Sequence, residues 1–512
     1  MNETTARQDE VLALLADPAT HGGAKVKRID THAASVFLAG DRALKIKRAV
    51  RFSFLDYSTL QKRREACAAE LAVNAPYAPE IYRRIVPITR EAGGALRIGG
   101  SGAPVEWAVE MRRFDETRTL DRLAGEIGED LADALGRAVA MAHAKAPEVA
   151  AQPWIAAIGV YIDEHFAVFR AHPEIFPAAE NEALAQRSRE AYARIVPLLG
   201  ERGRHGFVRR IHGDLHLGNI VLIGGKPVLF DAIEFSEIIA SGDVFYDLAF
   251  LLMDLLERGL APAANIVLNR YLAKSRRDEN LDALATLPFF LSLRAAIRAK
   301  VTAARMERAP AAEQGAIARA AGAYFAFALQ AVAAQTPKFV AVGGLSGTGK
   351  TRLARTLAPE LKPMPGAVIV RSDVERKALF GVAETEKLPA EAYRSDVTAR
   401  VYRTLADKAR RILAAGHSVV VDAMFARQAE RTALAQATTA AGVRLTGLFL
   451  TADLETRIAR VGARARDASD ADAAVARAQE RYDLGALDWT VVDASGTVEE
   501  TAARVMAALA DA

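Results

Sequence analysis

Short β-branched runs that feed into turns mark two strand-rich regions of the chain, and longer alanine-rich stretches lie between them. Lys338-Phe-Val-Ala-Val-Gly343 has strand length and runs into a glycine-rich turn. Ala367–Arg371 and His417–Val421 repeat the pattern and predict two more strands. Near the N-terminus, Ser35–Ala39 and Ala43–Lys47 flank Gly40-Asp41-Arg42 and read as a hairpin. Alternation puts Ala43, Lys45 and Lys47 on one face of it. Residues 311–334 read as a helix that stops at Gln335-Thr336-Pro337. The expected division is therefore two domains, 1–335 and 336–512.

Composition narrows the class. With 51% hydrophobic and 25% charged residues the chain has the make-up of a globular protein. Lys+Arg 67 against Asp+Glu 63 is close to balance, so no polycationic surface for nucleic acid is implied. One cysteine, Cys67, allows no intramolecular disulfide and no thiolate metal cage. The apolar run Leu248–Leu256 is interrupted by Asp254 and is too short to span a membrane. These features lead to an expectation of a cytoplasmic protein acting on small molecules, without membrane or nucleic-acid partners.

The strongest chemical signal is Gly344-Leu345-Ser346-Gly347-Thr348-Gly349-Lys350-Thr351, a full G-x-x-x-x-G-K-[ST] between a predicted strand and a predicted helix. Its backbone N–H groups suit phosphate oxygens, Lys350 the β/γ oxygens, and the Thr351 hydroxyl Mg²⁺. After the second strand, Asp373 is placed to accept a hydroxyl proton and Arg376 to hold the acceptor. Asp422, at the end of the third strand, stands where a carboxylate holds Mg²⁺. Arg457, Arg460, Arg464 and Arg466 gather in one segment that suits a lid over a triphosphate.

A second set lies upstream. In Ile211-His-Gly-Asp214-Leu-His216-Leu-Gly-Asn219, an acid is followed by an amide five residues on, and Asp231 comes after a hairpin. Asp214 can deprotonate a hydroxyl, while Asn219 and Asp231 offer oxygens to Mg²⁺. Lys45 or Lys47 would hold nucleotide phosphates, paired with Glu70 or Glu65 from the next helix, Lys45 and Glu70 being favoured. His216 reads as a backbone-positioning residue and not as a ligand.

These motifs carry two resemblances. GLSGTGKT, RSDVERKALFG, VVVDAMF and RARDASDADAAVARAQ resemble the zeta-toxin, gluconate-kinase and polynucleotide-kinase group of P-loop kinases over residues 338–512. H-G-D-L-H-x-G-N resembles the loop of the aminoglycoside-phosphotransferase family, over about residues 20–330. The resemblances imply a bilobal protein-kinase-like fold followed by a parallel-sheet α/β P-loop domain. They also imply an ATP- and Mg²⁺-dependent kinase, with GTP left open as donor. The strand Glu106–Met111 would lead to a hinge whose backbone meets a purine at Met111, and Asp247 would hydrogen-bond the catalytic loop. Two departures from protein kinases stand out: no glycine-rich loop precedes Lys45, and Asp231-Ala-Ile-Glu234 lacks the glycine of D-F-G. The expected activity is a bifunctional phosphotransferase with hydroxyl acceptors. The alternatives are one active kinase with a nucleotide-binding switch, or a toxin-type or nucleic-acid-end kinase.

Overall fold

The computed structural model describes residues 3–52, 55–438, 442–463 and 468–510. Two compact units emerge, Met1–Glu164 with Val196–Asp254, and His165–Ile195 with Leu255–Ala512.

The first unit is built on a six-stranded antiparallel sheet. Its order is Val26–Asp30, Ala34–Ala39, Arg42–Lys47, Ala103–Arg112, Tyr82–Arg90, Leu96–Ile98. Period-two alternation sorts the strand residues between two buried faces. Phe37, Leu44, Ile46 and Ala108 pack with Val11 and Leu15 of the helix Glu3–Ala16. Leu38, Ala43, Val109 and Met111 pack with Cys67 of the helix Leu60–Asn74. Both faces are covered, and the strand Ala34–Ala39 is accordingly apolar at all but one position and buried or half-buried at every one. Cys67 is fully buried, and burial pushes its thiol up to about 12, as suits a core residue. Thr59 caps the helix Leu60–Asn74 by accepting from Lys62 N, and one stripe of that helix, Arg63, Cys67, Glu70 and Asn74, faces inward. Two charges on that stripe need partners, and they find them on the sheet.

The second unit holds a five-stranded parallel sheet, ordered Val368–Arg371, Val419–Asp422, Phe339–Gly344, Leu445–Thr451, Thr490–Asp493. The central strand Phe339–Gly344 and its neighbour Val419–Asp422 are buried at every position because helices cover the sheet. Leu353, Ala354 and Leu357 of the helix Lys350–Leu357, with Ala502 and Val505 of Val498–Ala510, pack on Val340, Val342 and Leu450. The unit also contains the helices Ala261–Ser275, Leu287–Ala303 and Ala311–Val332. Two helical stretches, Glu279–Ala303 and Ala311–Val332, are long and apolar enough to cross a membrane by length and composition. The first is mostly buried within the structure, and residues of both, such as Phe290 and Phe325, are core residues here.

Candidate active sites

In the first unit, charged side chains form a ladder beneath the sheet. Lys45 Nζ lies 2.8 Å from Glu70 Oε1 and 2.7 Å from Asp231 Oδ1. Lys47 Nζ lies 2.6 Å from Glu70 Oε2 and pairs with Glu234 on its other side. Glu70 therefore serves both lysines, while Glu65 accepts from Gln61 on its own helix. Burial disfavours the charge on Lys45, but Asp231, Glu70 and Glu234 outweigh it and hold the ammonium well above the usual lysine value. The same balance holds Glu70 below the usual carboxylate range. The two lysines differ in access: the Lys45 side chain keeps 14% of its exposure and the Lys47 side chain 2%.

Asp231 is positioned from three directions. Its backbone takes a left-handed φ of 61°, which an aspartate tolerates better than most residues. Its N–H donates to Tyr82 Oη at 3.1 Å. The next residue, Ala232, is clamped by Asn74, whose Oδ1 accepts from Ala232 N at 2.7 Å and whose Nδ2 donates to Ala232 O at 3.1 Å. Asn74, Tyr82 and Glu234 are contributors that sequence reasoning missed. The inward stripe of the helix carrying Glu70 is the signal that could have found Asn74.

The loop bearing Asp214 hangs from Asp247. The two carboxylate oxygens of this fully buried residue accept from His212 N and Gly213 N, each at 3.0 Å. His143 Nε2 lies 3.2 Å from the same carboxylate. Gly213 has φ 83°, and a Cβ there would stand 3.3 Å from Ala240 Cα, so glycine is required where protein kinases carry arginine. Asn219 Nδ2 donates to Asp214 O at 2.9 Å and to Asp214 Oδ2 at 3.0 Å. That fixes the acid and the amide side by side and leaves the amide oxygen as the atom able to ligate a cation. His216 Nδ1 accepts from Gly218 N at 3.0 Å, a backbone-positioning contact. Met111 is buried at the end of its strand, opposite Ala43.

In the second unit the glycine-rich turn joins Phe339–Gly344 to Lys350–Leu357. Gly347 has φ 89°, and a Cβ there would meet Arg457 O at 2.5 Å. Thr351 Oγ1 donates to Asp422 Oδ2 at 2.6 Å, so the hydroxyl and carboxylate expected to share a cation already touch. Arg371, another residue missed from sequence, braces both: its Nη2 donates to Thr351 Oγ1 at 3.1 Å and its Nε lies 3.3 Å from Asp422 Oδ2. Lys350 Nζ donates to Leu345 O at 3.0 Å, folded back on its own loop. Gln479 holds Ser346 at both ends, accepting from Ser346 N at 2.8 Å and donating to Ser346 Oγ at 3.0 Å.

The arginine segment divides. Arg457 is not over the phosphate loop but buried behind it, donating to Ser346 O at 2.9 Å, to Ala476 O and to Glu480. With each guanidinium nitrogen met by a carbonyl or carboxylate, an arginine can be core. Arg460 lines the cavity and donates to Ala494 O at 2.8 Å and Gly496 O at 2.9 Å. Arg464 and Arg466 lie outside the described residues. The cavity encloses 1440 Å³, and Lys350, Thr351, Asp373, Arg376, Asp422 and Arg460 all line it. Arg376 donates to Ala392 O at 2.6 Å and Thr398 Oγ1 at 3.2 Å, with its guanidinium 5.0 Å above the Tyr393 ring. Ser346, Thr348 and Gly349 complete the phosphate-loop wall with Gly347.

A kinase-like sheet with an acid–amide–acid loop and a parallel sheet with a phosphate loop are both frames for nucleotide-dependent phosphate chemistry. Residues 27–287, just over half of the chain, match the model of the phosphotransferase enzyme family, and the chain belongs to that family. Residues 339–483 match an AAA domain model. An uncharacterized protein of Mycobacterium tuberculosis is 29% identical over 475 residues, covering 89% of this chain and 90% of its own. Among solved structures, a choline/ethanolamine kinase family protein from Mesorhizobium loti is 17% identical with a TM-score of 0.38, covering 64% of this chain and 99% of that one. A gluconokinase from Sinorhizobium meliloti is 18% identical with a TM-score of 0.26, covering 35% and 94%. The chain joins an aminoglycoside-phosphotransferase-like domain to a P-loop kinase-type domain.

Proposed function

We propose that the chain is a bifunctional ATP-dependent phosphotransferase, with a separate active site in each domain and hydroxyl groups of small molecules as acceptors. The observation that carries this reading is that each set of base, phosphate-binding and cation-binding residues is complete within one compact unit. At the first site Asp214 takes the proton of an acceptor hydroxyl as its oxygen bonds to the γ-phosphorus, and ADP leaves. Lys45, oriented by Glu70, holds the phosphates, and the hinge strand ending at Met111 meets the base. Asn219 and Asp231 would hold Mg²⁺ there, and Thr351 and Asp422 at the second site, where the adjacent hydroxyl and carboxylate oxygens support that fit. The cation supplies charge neutralisation on the phosphate oxygens. At the second site Asp373 is the base, Lys350 and Arg460 hold phosphate, and Arg376 orients the acceptor; Arg464 belongs to the same proposed set.

A cavity of 1440 Å³ suits a nucleotide and a small acceptor together. The near balance of charge supports acceptors that are neither nucleic acid nor membrane lipid, and the single buried cysteine suits a cytoplasmic setting. The test is phosphate transfer by the full chain to a panel of sugars, polyols, nucleosides and oligonucleotides. Asp214→Asn and Lys350→Ala are expected to remove two disjoint sets of products. If either variant removes every product, the two-site reading fails.

A further inference from the structure

The strand Val368–Arg371 is the edge of the parallel sheet, and its outer N–H and C=O groups face no further strand among the described residues. Two asparagines of the helix Ala261–Ser275 meet them instead. Asn265 Nδ2 donates to Ala367 O at 3.0 Å and to Pro365 O at 3.3 Å. Asn269 Nδ2 donates to Ala367 O at 3.2 Å, and its Oδ1 accepts from Ile369 N at 2.7 Å. The amides stand in for a sixth strand. Asn265 and Asn269 fall within residues 27–287, yet the backbone they satisfy leads directly to Asp373 and Arg376.

The next residue on that helix reaches further. Arg270 Nη1 lies 2.7 Å from Glu384 Oε1, in an ion pair whose side chains are only 15% and 26% exposed. Glu384 O accepts from Lys377 Nζ at 2.8 Å, and Lys377 Nζ donates to Asp470 Oδ1 at 3.0 Å. Asp470 Oδ2 accepts from Leu388 N at 3.0 Å and from Tyr393 Oη at 2.7 Å. The Tyr393 ring lies under Arg376. Leu388, Tyr393, Arg376 and Asp470 all line the cavity. A continuous series of hydrogen-bonded and ion-paired groups thus runs from Arg270 to the cavity wall.

We infer that Arg270 is a positioning residue for the P-loop site, holding the 382–393 wall, and through it Tyr393 and Arg376, in place for an acceptor. The inference rests on the proposed reaction for the acceptor's place, but its test needs no turnover. Hydrogen exchange of the full chain is followed by mass spectrometry in Arg270→Met, Glu384→Gln, the double variant and Arg270→Lys. Both single variants are expected to speed exchange in 382–393 by about two- to fivefold, the upper part of the range for losing one ion pair. Residues 344–351 keep their protection, and a fluorescent ATP analogue binds within about twofold of wild type. The double variant exchanges no faster than either single one, and Arg270→Lys restores most of the protection. Unchanged exchange in 382–393 for both single variants overturns the inference. So does an equal rise in 344–351, since the helix would then support the unit as a whole. A wild-type chain that transfers no phosphate would defeat the proposed function without altering these rates.

Discussion

Lys45 and Lys47 share one carboxylate, and separating their roles is the sharpest test of the first site. Lys47→Met leaves Glu70, fully buried, without one of its cations and strips Glu234 of its cation, leaving it the Tyr57 hydroxyl, at a place where the lysine side chain itself is 2% exposed. Removing one member of a buried ion pair costs about 3–5 kcal/mol, because the charge left behind stays desolvated. For a unit of about 220 residues each kcal/mol moves the unfolding midpoint by roughly 2–4 °C, so a fall of about 6–20 °C is expected. Lys45→Met is milder. Glu70 keeps Lys47, and the Asp231 side chain, 46% exposed, can recover its hydration, so about 1 kcal/mol is lost. Its effect should fall on the nucleotide, with a loss of roughly 30-fold or more in affinity from one charged contact to phosphate.

The assay is calorimetry of the full chain, paired with fluorescent ATP-analogue binding in a Lys350→Ala background that silences the second site. The expected pattern is a large midpoint shift for Lys47→Met and a large affinity loss at near-normal midpoint for Lys45→Met. The reverse pattern, with Lys47→Met blocking nucleotide at an unchanged midpoint, would refute the assignment.

Asp373→Asn should keep ATP-analogue binding at the second site while lowering transfer by about 100-fold or more, since the amide keeps the shape but cannot take a proton; equal transfer would make Asp373 a helix-start residue only. Buried His417, whose Nε2 lies 2.9 Å from Gly366 O, is held down by burial to about 4, and buried His165 to about 3. Below the ordinary value of about 6.5 the unfolded chain takes up protons that the folded unit refuses, so stability is full above that pH and declines toward pH 4. Each histidine contributes about 1.4 kcal/mol per pH unit, and His417→Gln should flatten the pH slope of the urea midpoint. A fragment beginning at 336 lacks the four hydrogen bonds from Asn265 and Asn269 and should be less stable than one beginning at 255, by up to about 4 kcal/mol in urea unfolding.

What the sequence disclosed was local chemistry. A phosphate loop needs Gly347 and Gly349 at positive φ within a few residues of Lys350, so strand, loop and helix announce themselves together. The acid and amide of the first site likewise sit five residues apart, and period two put Lys45 and Lys47 on one face. Choosing between the lysines was beyond that pattern, because their difference is one of burial, set by Glu234 some 187 residues away. The arginine segment shows the same limit. Arg457 and Arg460 lie three apart on the helix Leu454–Gly462, and both read as part of a lid over a triphosphate. Only the carbonyl and carboxylate groups brought up by 346, 476 and 480 make Arg457 a buried brace.

What closes the edge of a sheet is hidden from the sequence for a related reason. A helix end, a proline and a fresh strand are local features, and they mark where backbone geometry changes between residues 332 and 339. They carry no information about what closes the edge of the sheet that follows. An edge strand needs its outward polar groups met by something, and side-chain amides on a helix satisfy them as well as a strand does. Here the amides come from about 100 positions earlier, on a helix whose own apolar pattern gives no hint of a second allegiance. The family match that ends at residue 287 and the compact unit that begins again at residue 255 therefore overlap. The overlap follows from hydrogen-bond satisfaction: the helix Ala261–Ser275 belongs by sequence to the phosphotransferase family and by its bonds to the P-loop sheet.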